Sequence, residues 1–133
     1  MSNTAALVFG VIYAIAGLVG FILAPGGGVL LGIFPVNAFH NIFHLATGGL
    51  GIASGWTGRG RSYCRAAGIV FLLLGVSGFL APPLTAALLA HPTADIFTDN
   101  LLHLATGIVL SYFGFVPRPA PLHLYEETGK PAG

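Results

Sequence analysis

Two short polar motifs are the part of this sequence that could do chemistry. NIFHLATGG begins at Asn41, and NLLHLATGI begins fifty-nine residues later, at Asn100. Each motif places Asn, His and Thr at the same spacing inside an otherwise apolar run. A histidine side chain can ligate a metal or a haem iron, donate a hydrogen bond or exchange a proton. The two histidines, His44 and His103, are therefore the first candidates for a functional site.

The composition predicts the setting of these motifs, which is a membrane. Apolar residues make up 55% of the 133 positions and charged residues only 7%, too few to cover a water-facing surface. Four nearly uncharged stretches are about as long as the ~20 residues that cross a hydrocarbon core as a helix: residues 5–24, 38–56, 66–82 and 99–116. We expect four transmembrane helices, the first of them retained rather than cleaved as a signal peptide.

The basic residues predict the orientation of these helices. All five fall between the second and third predicted spans or beyond the fourth: Arg59, Arg61, Arg65, Arg118 and Lys130. Because positively charged loops remain cytoplasmic, we expect both termini on the cytoplasmic side of a bacterial inner membrane. The loops 25–37 and 83–98 then lie outside.

The chain also contains an internal repeat. GVIYAIAGLVGFILAP at 10–25 aligns with GIVFLLLGVSGFLAPP at 68–83, and the Asn-x-x-His motifs follow at almost the same offset. The repeats, 5–56 and 64–116, each contain two spans and should therefore cross the membrane in the same direction, related by a pseudo-two-fold axis along its normal. Glycines at helical spacing let the helices pack closely. The predicted fold is all-α, an integral membrane four-helix bundle built from two parallel-repeat helical hairpins.

This bundle is expected to occupy residues 1–116, and the Pro-rich, charged segment 117–133 is expected to be a flexible cytoplasmic tail. The outer segments 25–37 and 82–97 are each expected to form a short helix or a turn along the interface. Three residues are candidate helix N-caps: Asn37, Thr98 and Asp99.

The stretch FPVNAFHNIFHLATGGLG at 34–51 resembles a family of bacterial membrane proteins catalogued as domain of unknown function 4383. Its members are small four-span proteins with FPVN followed by HNxxHLxTG and a second, weaker copy. The resemblance covers about residues 5–116. Here the second copy has Asp99 where the first has His40, and it carries two more residues between its Pro and its Asn. The resemblance implies a fold and no activity.

One interpretation of the polar motifs is structural. Asn41 and Asn100 could hydrogen-bond free N–H groups near the helix starts, and Thr47 and Thr106 could bond back to carbonyls of their own helices. His44 and His103 could donate to a neighbouring helix or to an outer-loop carbonyl. The protein would then be a non-enzymatic scaffold or accessory subunit of a larger membrane complex. Its contacts would be the lipid bilayer and either a membrane-protein partner or a second copy.

The alternative interpretation is a bound macrocycle. The two-fold axis could bring His44 and His103 face to face as ligands of haem b, or each could ligate the magnesium of a chlorophyll or bacteriochlorophyll. Gly48 and Gly107 would leave space for the flat ring. Asn41 and Asn100 would orient the imidazoles. A free metal ion is not expected on this interpretation.

Two further hypotheses concern the outer surface and oligomers. His40 and Asp99 occupy matching positions and could form an ion pair across the axis, although two solvated interface residues are the simpler interpretation. A small oligomeric transporter or channel is supported only by the GxxxG spacing of Gly51 and Gly55. The sequence has no catalytic constellation and no basic patch with interleaved aromatics, so neither an enzyme nor a nucleic-acid-binding protein is expected.

Overall fold

The computed structural model of the protein describes residues 1–89 and 97–117, and this part of the chain is mostly helical. Its elements are, in chain order, α1 (Ser2–Leu23), β1 (Gly28–Leu30), β2 (Phe34–Val36), α2 (Ala38–Trp56), α3 (Gly60–Leu80), α4 (Pro82–Leu89) and α5 (Phe97–Phe115). The two short strands form an antiparallel hairpin. The expected tail lies almost entirely outside the described residues.

Helix α2 begins where the sequence predicts. The Asn37 side chain accepts a hydrogen bond from the His40 backbone N–H at 2.8 Å, so the prediction of an N-cap at Asn37 is confirmed. The same prediction is wrong for Thr98 and Asp99, because α5 begins at Phe97 and both residues lie inside its first turn.

The helices pack in two pairs, α1 with α2 and α3 with α5. Glycines allow the paired backbones to touch: a Cβ added at Gly10 would lie 2.6 Å from the Ile52 nitrogen, and one added at Gly68 would lie 2.7 Å from the Ser111 nitrogen. Such small-residue seams are a main source of helix association in lipid. The buried core between the pairs is small: Ala5, Ala6, Tyr13, Tyr63, Cys64, Phe71 and Leu110.

Cys64, the sole cysteine of the chain, is fully buried in this core. Its thiol donates a weak hydrogen bond to the Ser2 carbonyl oxygen at 3.6 Å. This contact ties the start of α1 to the first turns of α3.

Two of the helices, α1 and α3, are long and apolar enough to cross a membrane. Large apolar side chains on all four long helices are exposed, and these include Ile15, Leu50, Leu73 and Ile108. A helix that is apolar on its outward face suits a lipid environment. The described chain is therefore a helical protein with two candidate membrane spans.

The segment between α1 and α2 differs from the expectation of a short helix or turn, because it forms the β1–β2 hairpin. Four residues in or beside it have positive φ, namely Gly27 (83°), Gly28 (147°), Leu31 (53°) and Gly32 (73°). These conformations are not helical, and glycine adopts them at little cost. The corresponding segment between α3 and α5 contains the short helix α4, and residues 90–96 lie outside the described residues.

Helix α3 begins at Gly60, six residues before the predicted start, so Arg61 and Arg65 are helical and the prediction that they lie in a loop is wrong. The guanidinium groups of Arg61 and Arg65 donate to the Gly114 carbonyl oxygen at 3.0 and 2.8 Å. Arg61 also reaches the Val116 carbonyl oxygen at 3.1 Å. Carbonyls in the last turn of a helix lack intrahelical partners and favour cations, and this tertiary contact explains why the charged segment is ordered as helix.

Candidate functional site

Four titratable side chains meet at the end of the bundle where α2 and α5 begin. His40 and His44 lie in the first two turns of α2, and Asp99 and His103 lie in the first two turns of α5. Each pair is spaced i, i+4, which puts both members on one face of their helix. His40, Asp99 and His103 are only 2%, 5% and 3% exposed, and His44 is half-buried. We refer to these four residues as the His/Asp cluster.

The three imidazoles of this cluster converge. His40 Nε2 lies 2.9 Å from His44 Nε2, and the ligating nitrogens of His40, His44 and His103 all lie within 4.8 Å of one another. The carboxyl group of Asp99 reaches both helices: Oδ1 is 3.8 Å from His40 Nε2, and Oδ2 is 3.8 Å from His103 Nδ1. The cluster therefore joins the α1–α2 pair to the α3–α5 pair.

Aromatic rings hold the imidazoles in place. The Tyr13 ring meets His44 edge-on at 5.0 Å between centroids and stacks on Phe71 at 4.8 Å. Phe71 in turn lies 5.5 Å from the His103 ring. The Tyr13 hydroxyl donates to Thr106 Oγ1 at 2.9 Å. Tyr13 and Phe71, at matching positions of the repeat, thus pack beside the cluster.

This arrangement can hold either a proton or a metal ion. A neutral imidazole has one donor and one acceptor nitrogen, so His40 and His44 can share one hydrogen between their Nε2 atoms. Three imidazoles and a carboxylate are also a donor set for zinc and related divalent ions. With Zn–N distances of about 2.0–2.1 Å, neighbouring ligand atoms in a tetrahedral site are about 3.3 Å apart. The observed separations, from 2.9 Å to within 4.8 Å, bracket that value.

The motif asparagines do not bond helix N–H groups, so that prediction is wrong. Among the described residues, Asn41 Oδ1 and Nδ2 and Asn100 Oδ1 have no hydrogen-bond partner. Their side chains lie against Gly20 and Gly78 across the helix seams, because the missing Cβ atoms leave room there. Neither amide oxygen orients an imidazole.

The motif threonines make contacts across helices. Thr106 accepts the hydrogen bond from Tyr13, and the Thr47 carbonyl oxygen accepts one from the Tyr63 hydroxyl at 3.2 Å.

The expected space for a flat macrocycle is filled by protein. A Cβ added at Gly48 would lie 2.5 Å from the Ala14 nitrogen, and one added at Gly107 would lie 2.7 Å from the Leu72 nitrogen. These two glycines serve the close approach of the paired helices. His44 and His103 do come together, but Gly48 and Gly107 leave no space for a flat ring between the paired helices.

From the sequence, His40 and Asp99 are expected only as a possible ion pair at the outer surface, apart from His44 and His103. They are buried rather than solvated, and they lie beside the other two side chains. The signal that could have found them is the i, i+4 spacing of His40 with His44 and of Asp99 with His103. Comparison of the repeats matches His44 to His103 and His40 to Asp99, which lie on different helices. It therefore does not show that His40 shares a helix face with His44, or Asp99 with His103.

A family model described as domain of unknown function DUF4383 matches residues 3–116, and this match confirms the resemblance inferred from the motifs. No curated protein and no solved structure matches the chain.

Proposed function

The chain belongs to the family described as domain of unknown function DUF4383, and we propose that it is a small integral membrane protein that binds one divalent transition-metal ion. The ligands in this proposal are His40, His44 and His103, with Asp99 beside them. The observation that carries it is the convergence of three imidazoles, their ligating nitrogens within 4.8 Å of one another, from two helices.

The chemistry of the donor atoms favours a transition-metal ion at this place. Imidazole nitrogens suit Zn²⁺, Co²⁺ and Ni²⁺, whereas Mg²⁺ and Ca²⁺ prefer oxygen ligands. Asp99 lies 3.8 Å from His103 Nδ1 and from His40 Nε2, so an ionised carboxylate there would offset part of the charge of a bound cation.

The bound ion would tie the two helix pairs together. His40 and His44 belong to α2, whereas His103 and Asp99 belong to α5. Because a metal that binds only the folded arrangement stabilises it, the ion would strengthen the association of the two pairs at one end of the bundle. Arg61 and Arg65 join α3 to α5 at the opposite end.

The proposal includes a membrane topology. We infer that α1, α2, α3 and α5 each span a bacterial inner membrane, in two hairpins related by a pseudo-two-fold axis along the membrane normal. The length and apolar composition of α1 and α3 support this, as do the exposed apolar side chains of α2 and α5. With the arginines on the cytoplasmic side, both termini are cytoplasmic and the His/Asp cluster lies toward the outer face.

Metal titration of the purified, chelator-treated protein tests the proposal. We expect one Co²⁺ per chain, detected by its visible absorption, and displacement of Co²⁺ by an equivalent of Zn²⁺. His44→Ala and His103→Ala should each weaken binding by about 100-fold or more, because loss of even an outer partner of a metal ligand costs about 10–100-fold. Asp99→Asn should fall within that smaller range.

The chain supplies matched controls for this titration. His91→Ala and His123→Ala change the two histidines outside the described residues, and retained affinity in both would assign binding to the His/Asp cluster. His44→Gln keeps a polar side chain of similar size, and thermal unfolding of the metal-free variants separates a lost ligand from a lost fold. Wild-type affinity in folded His44→Gln and His103→Ala variants would refute the metal site.

A second proposed function is that of a scaffold or accessory subunit of a larger membrane complex. It is supported by the exposed apolar side chains on the outward faces of all four long helices, among them Trp56 and Tyr112 near the helix ends. Extraction in mild detergent followed by native mass spectrometry should then find the protein in a defined complex. A homogeneous free monomer would count against this role.

The proposal of an oligomeric transporter or channel has less support. Gly51 and Gly55, whose GxxxG spacing suggested a contact with a second copy, face α1 within the same chain. A Cβ added at Gly51 would lie 2.8 Å from the Gly10 Cα, and Gly55 is covered by the Leu7 side chain. Their surface is therefore used inside the monomer.

A further inference from the structure

A cavity of about 290 Å³ lies between α1 and α5, and the β1–β2 hairpin covers it. Its apolar lining comes from both helices and from the hairpin, and includes Phe9, Ile12, Ala16, Phe34 and Leu102. Its polar lining is formed by His40, His44, Asp99 and Thr106. Ile12 and Leu102 are about half exposed, so the cavity lies at the surface that faces lipid in the proposed topology. We call it the lateral cavity.

We propose that the lateral cavity binds a lipid-soluble molecule with an uncharged, oxygen-bearing ring as its head, of the quinone class. The apolar lining suits a ring and the start of an aliphatic tail, and the polar residues lie where carbonyl or hydroxyl groups of the head need partners. Ligand pockets are commonly of this kind, mostly apolar with a few polar groups that fix orientation. This inference goes beyond the metal site and does not require a bound ion.

The polar lining offers specific hydrogen-bonding capacity to such a head. Asp99 is buried, and its Oδ2 has no hydrogen-bond partner among the described residues; the distance of 3.8 Å to His103 Nδ1 is too long for one. Thr106 Oγ1 already accepts from the Tyr13 hydroxyl, which leaves its own hydrogen to donate. A hydroxyl group of the head could donate to Asp99 Oδ2, and a carbonyl oxygen of the head could accept from the Thr106 hydroxyl.

The aromatic lining favours a flat head. Phe9 and Phe34 line the cavity together with the Tyr13 ring, and aromatic side chains pack well against planar rings in offset or edge-on geometry. A lipid acyl chain would fit the apolar lining as well, but it would bring no hydrogen-bond donor to Asp99 Oδ2. A buried polar atom without a hydrogen bond is costly, and this cost favours a head that carries a hydroxyl group.

The other half of the repeat does not offer the same space at two positions. Leu74 stands where the first half has Ala16, and Phe43 stands where the second half has Leu102. Phe43 packs on Phe71 at 6.1 Å between ring centroids. The segments that follow the two helices differ too, since the β1–β2 hairpin follows α1 and the helix α4 follows α3. The lateral cavity therefore depends on side chains particular to one half, and the repeated helix packing does not by itself produce it.

Photolabelling of the full-length protein tests this proposal. The probe is an azido-substituted benzoquinone with a decyl tail, added to the protein in phosphatidylcholine nanodiscs. We expect label on α1 and α5 at residues that line the cavity, mapped by mass spectrometry, and loss of that label when the same quinone without the azide is in excess. Label spread over the lipid-facing residues of all four long helices, or insensitive to the competitor, would overturn the proposal.

A variant that fills the cavity sharpens the test. Ala16→Leu combined with Leu102→Phe introduces the side chains of the other half, and we expect labelling to fall by about tenfold or more because the ring loses its volume. Ile15→Phe is the matched control, since Ile15 is exposed on α1 and does not line the cavity. It should label like the wild type.

Two further measurements make the outcome unambiguous. Thermal unfolding checks that the filled variant is folded, and Ala16→Val supplies a smaller change if it is not. Undiminished labelling of a folded filled variant contradicts the proposal. Since no filled position is a proposed metal ligand, Co²⁺ binding should be retained in that variant, so failure of the cavity and failure of the metal site are distinguishable.

Discussion

The two helix pairs repeat the same backbone contacts and differ in the chemistry of their side chains. Gly20 lies against the Asn41 side chain in one pair, and Gly78 lies against Asn100 in the other. Gly17 and Gly75 likewise pack on Leu45 and Leu104. The glycine seams thus set how closely and in what register each pair packs, and this geometry is common to both halves.

The differences lie at the two ends of the bundle. At the His/Asp cluster, His40 matches Asp99 and Tyr13 matches Phe71. At the opposite end, Leu7 covers Gly55 in the first pair, whereas the corresponding Arg65 covers Gly114 and bonds its carbonyl oxygen. The comparison teaches that a repeated scaffold acquires a site where matching positions carry unlike side chains.

The largest expected effect is a loss of stability when a glycine between paired helices is replaced, and it tests whether the α1–α2 and α3–α5 contacts are equivalent. Gly48→Ala and Gly107→Ala each push a Cβ against the backbone of the neighbouring helix, 2.5 Å from Ala14 N and 2.7 Å from Leu72 N. Overpacking of this kind costs about 1–3 kcal/mol, and we expect similar losses in the free energy of unfolding, measured by denaturation in detergent micelles.

Gly49→Ala is the control for both seam variants, because nothing lies within 4 Å of its added Cβ. Because alanine has a higher helix propensity than glycine, this variant should leave the free energy of unfolding unchanged or raise it by up to about 1 kcal/mol. If only one seam variant is destabilised, the two pairs are not equivalent.

A smaller effect tests the difference at the arginine end. Arg65→Leu gives the second pair a side chain like Leu7, which keeps the packing on Gly114 and removes the bond from Arg65 Nε at 2.8 Å. We expect a loss of about 1 kcal/mol by the same denaturation, which is modest because Arg61 still donates to the same oxygen. Arg59→Leu, at an exposed position, should cost less. An equal loss in both variants would show that net charge, and not this contact, is responsible.

The smallest effect concerns the tyrosine that distinguishes the halves beside the cluster. Tyr13→Phe makes the first half like the second and removes the hydrogen bond to Thr106 Oγ1. Bonds between membrane helices contribute about 0.6 kcal/mol on average, and a double-mutant cycle with Thr106→Val should measure a coupling of that size. Tyr112→Phe, at an exposed tyrosine, should show no coupling to Thr106→Val.

The regular parts of the fold are predictable from the sequence for identifiable reasons. Helix α2 occupies the predicted residues 38–56, since a charge-free apolar run follows the N-cap Asn37. Local composition fails where a distant partner decides the structure. Arg61 and Arg65 look like loop residues until the carbonyls at the end of α5 accept their hydrogen bonds.

The β1–β2 hairpin could not be predicted from pattern. Its strands are only three residues long, too short for apolar alternation to be recognised, and the positive φ of Leu31 is uncommon for a side chain of its kind. The hairpin therefore follows from the glycine-rich turn and its position over α1 and α5.

Two of the four residues of the candidate site could be predicted from the sequence to lie together. The repeat pairs His44 with His103, and these two residues do come together. How far each helix rotates about its axis is decided by packing across the seams, and that rotation brings His40 and Asp99 to the same place. The sequence does not specify how each helix is rotated about its axis. The i, i+4 spacing fixes only which residues share a face of one helix.

The complete burial of Cys64 has a practical consequence for mapping the topology. A thiol enclosed by α1 and α3 is shielded from maleimide reagents in the folded protein, so new cysteines can be introduced without first removing the native one. Labelling of such a cysteine at Val29 by a reagent that does not cross the bilayer, applied from each side in turn, would report which face of the membrane the hairpin occupies.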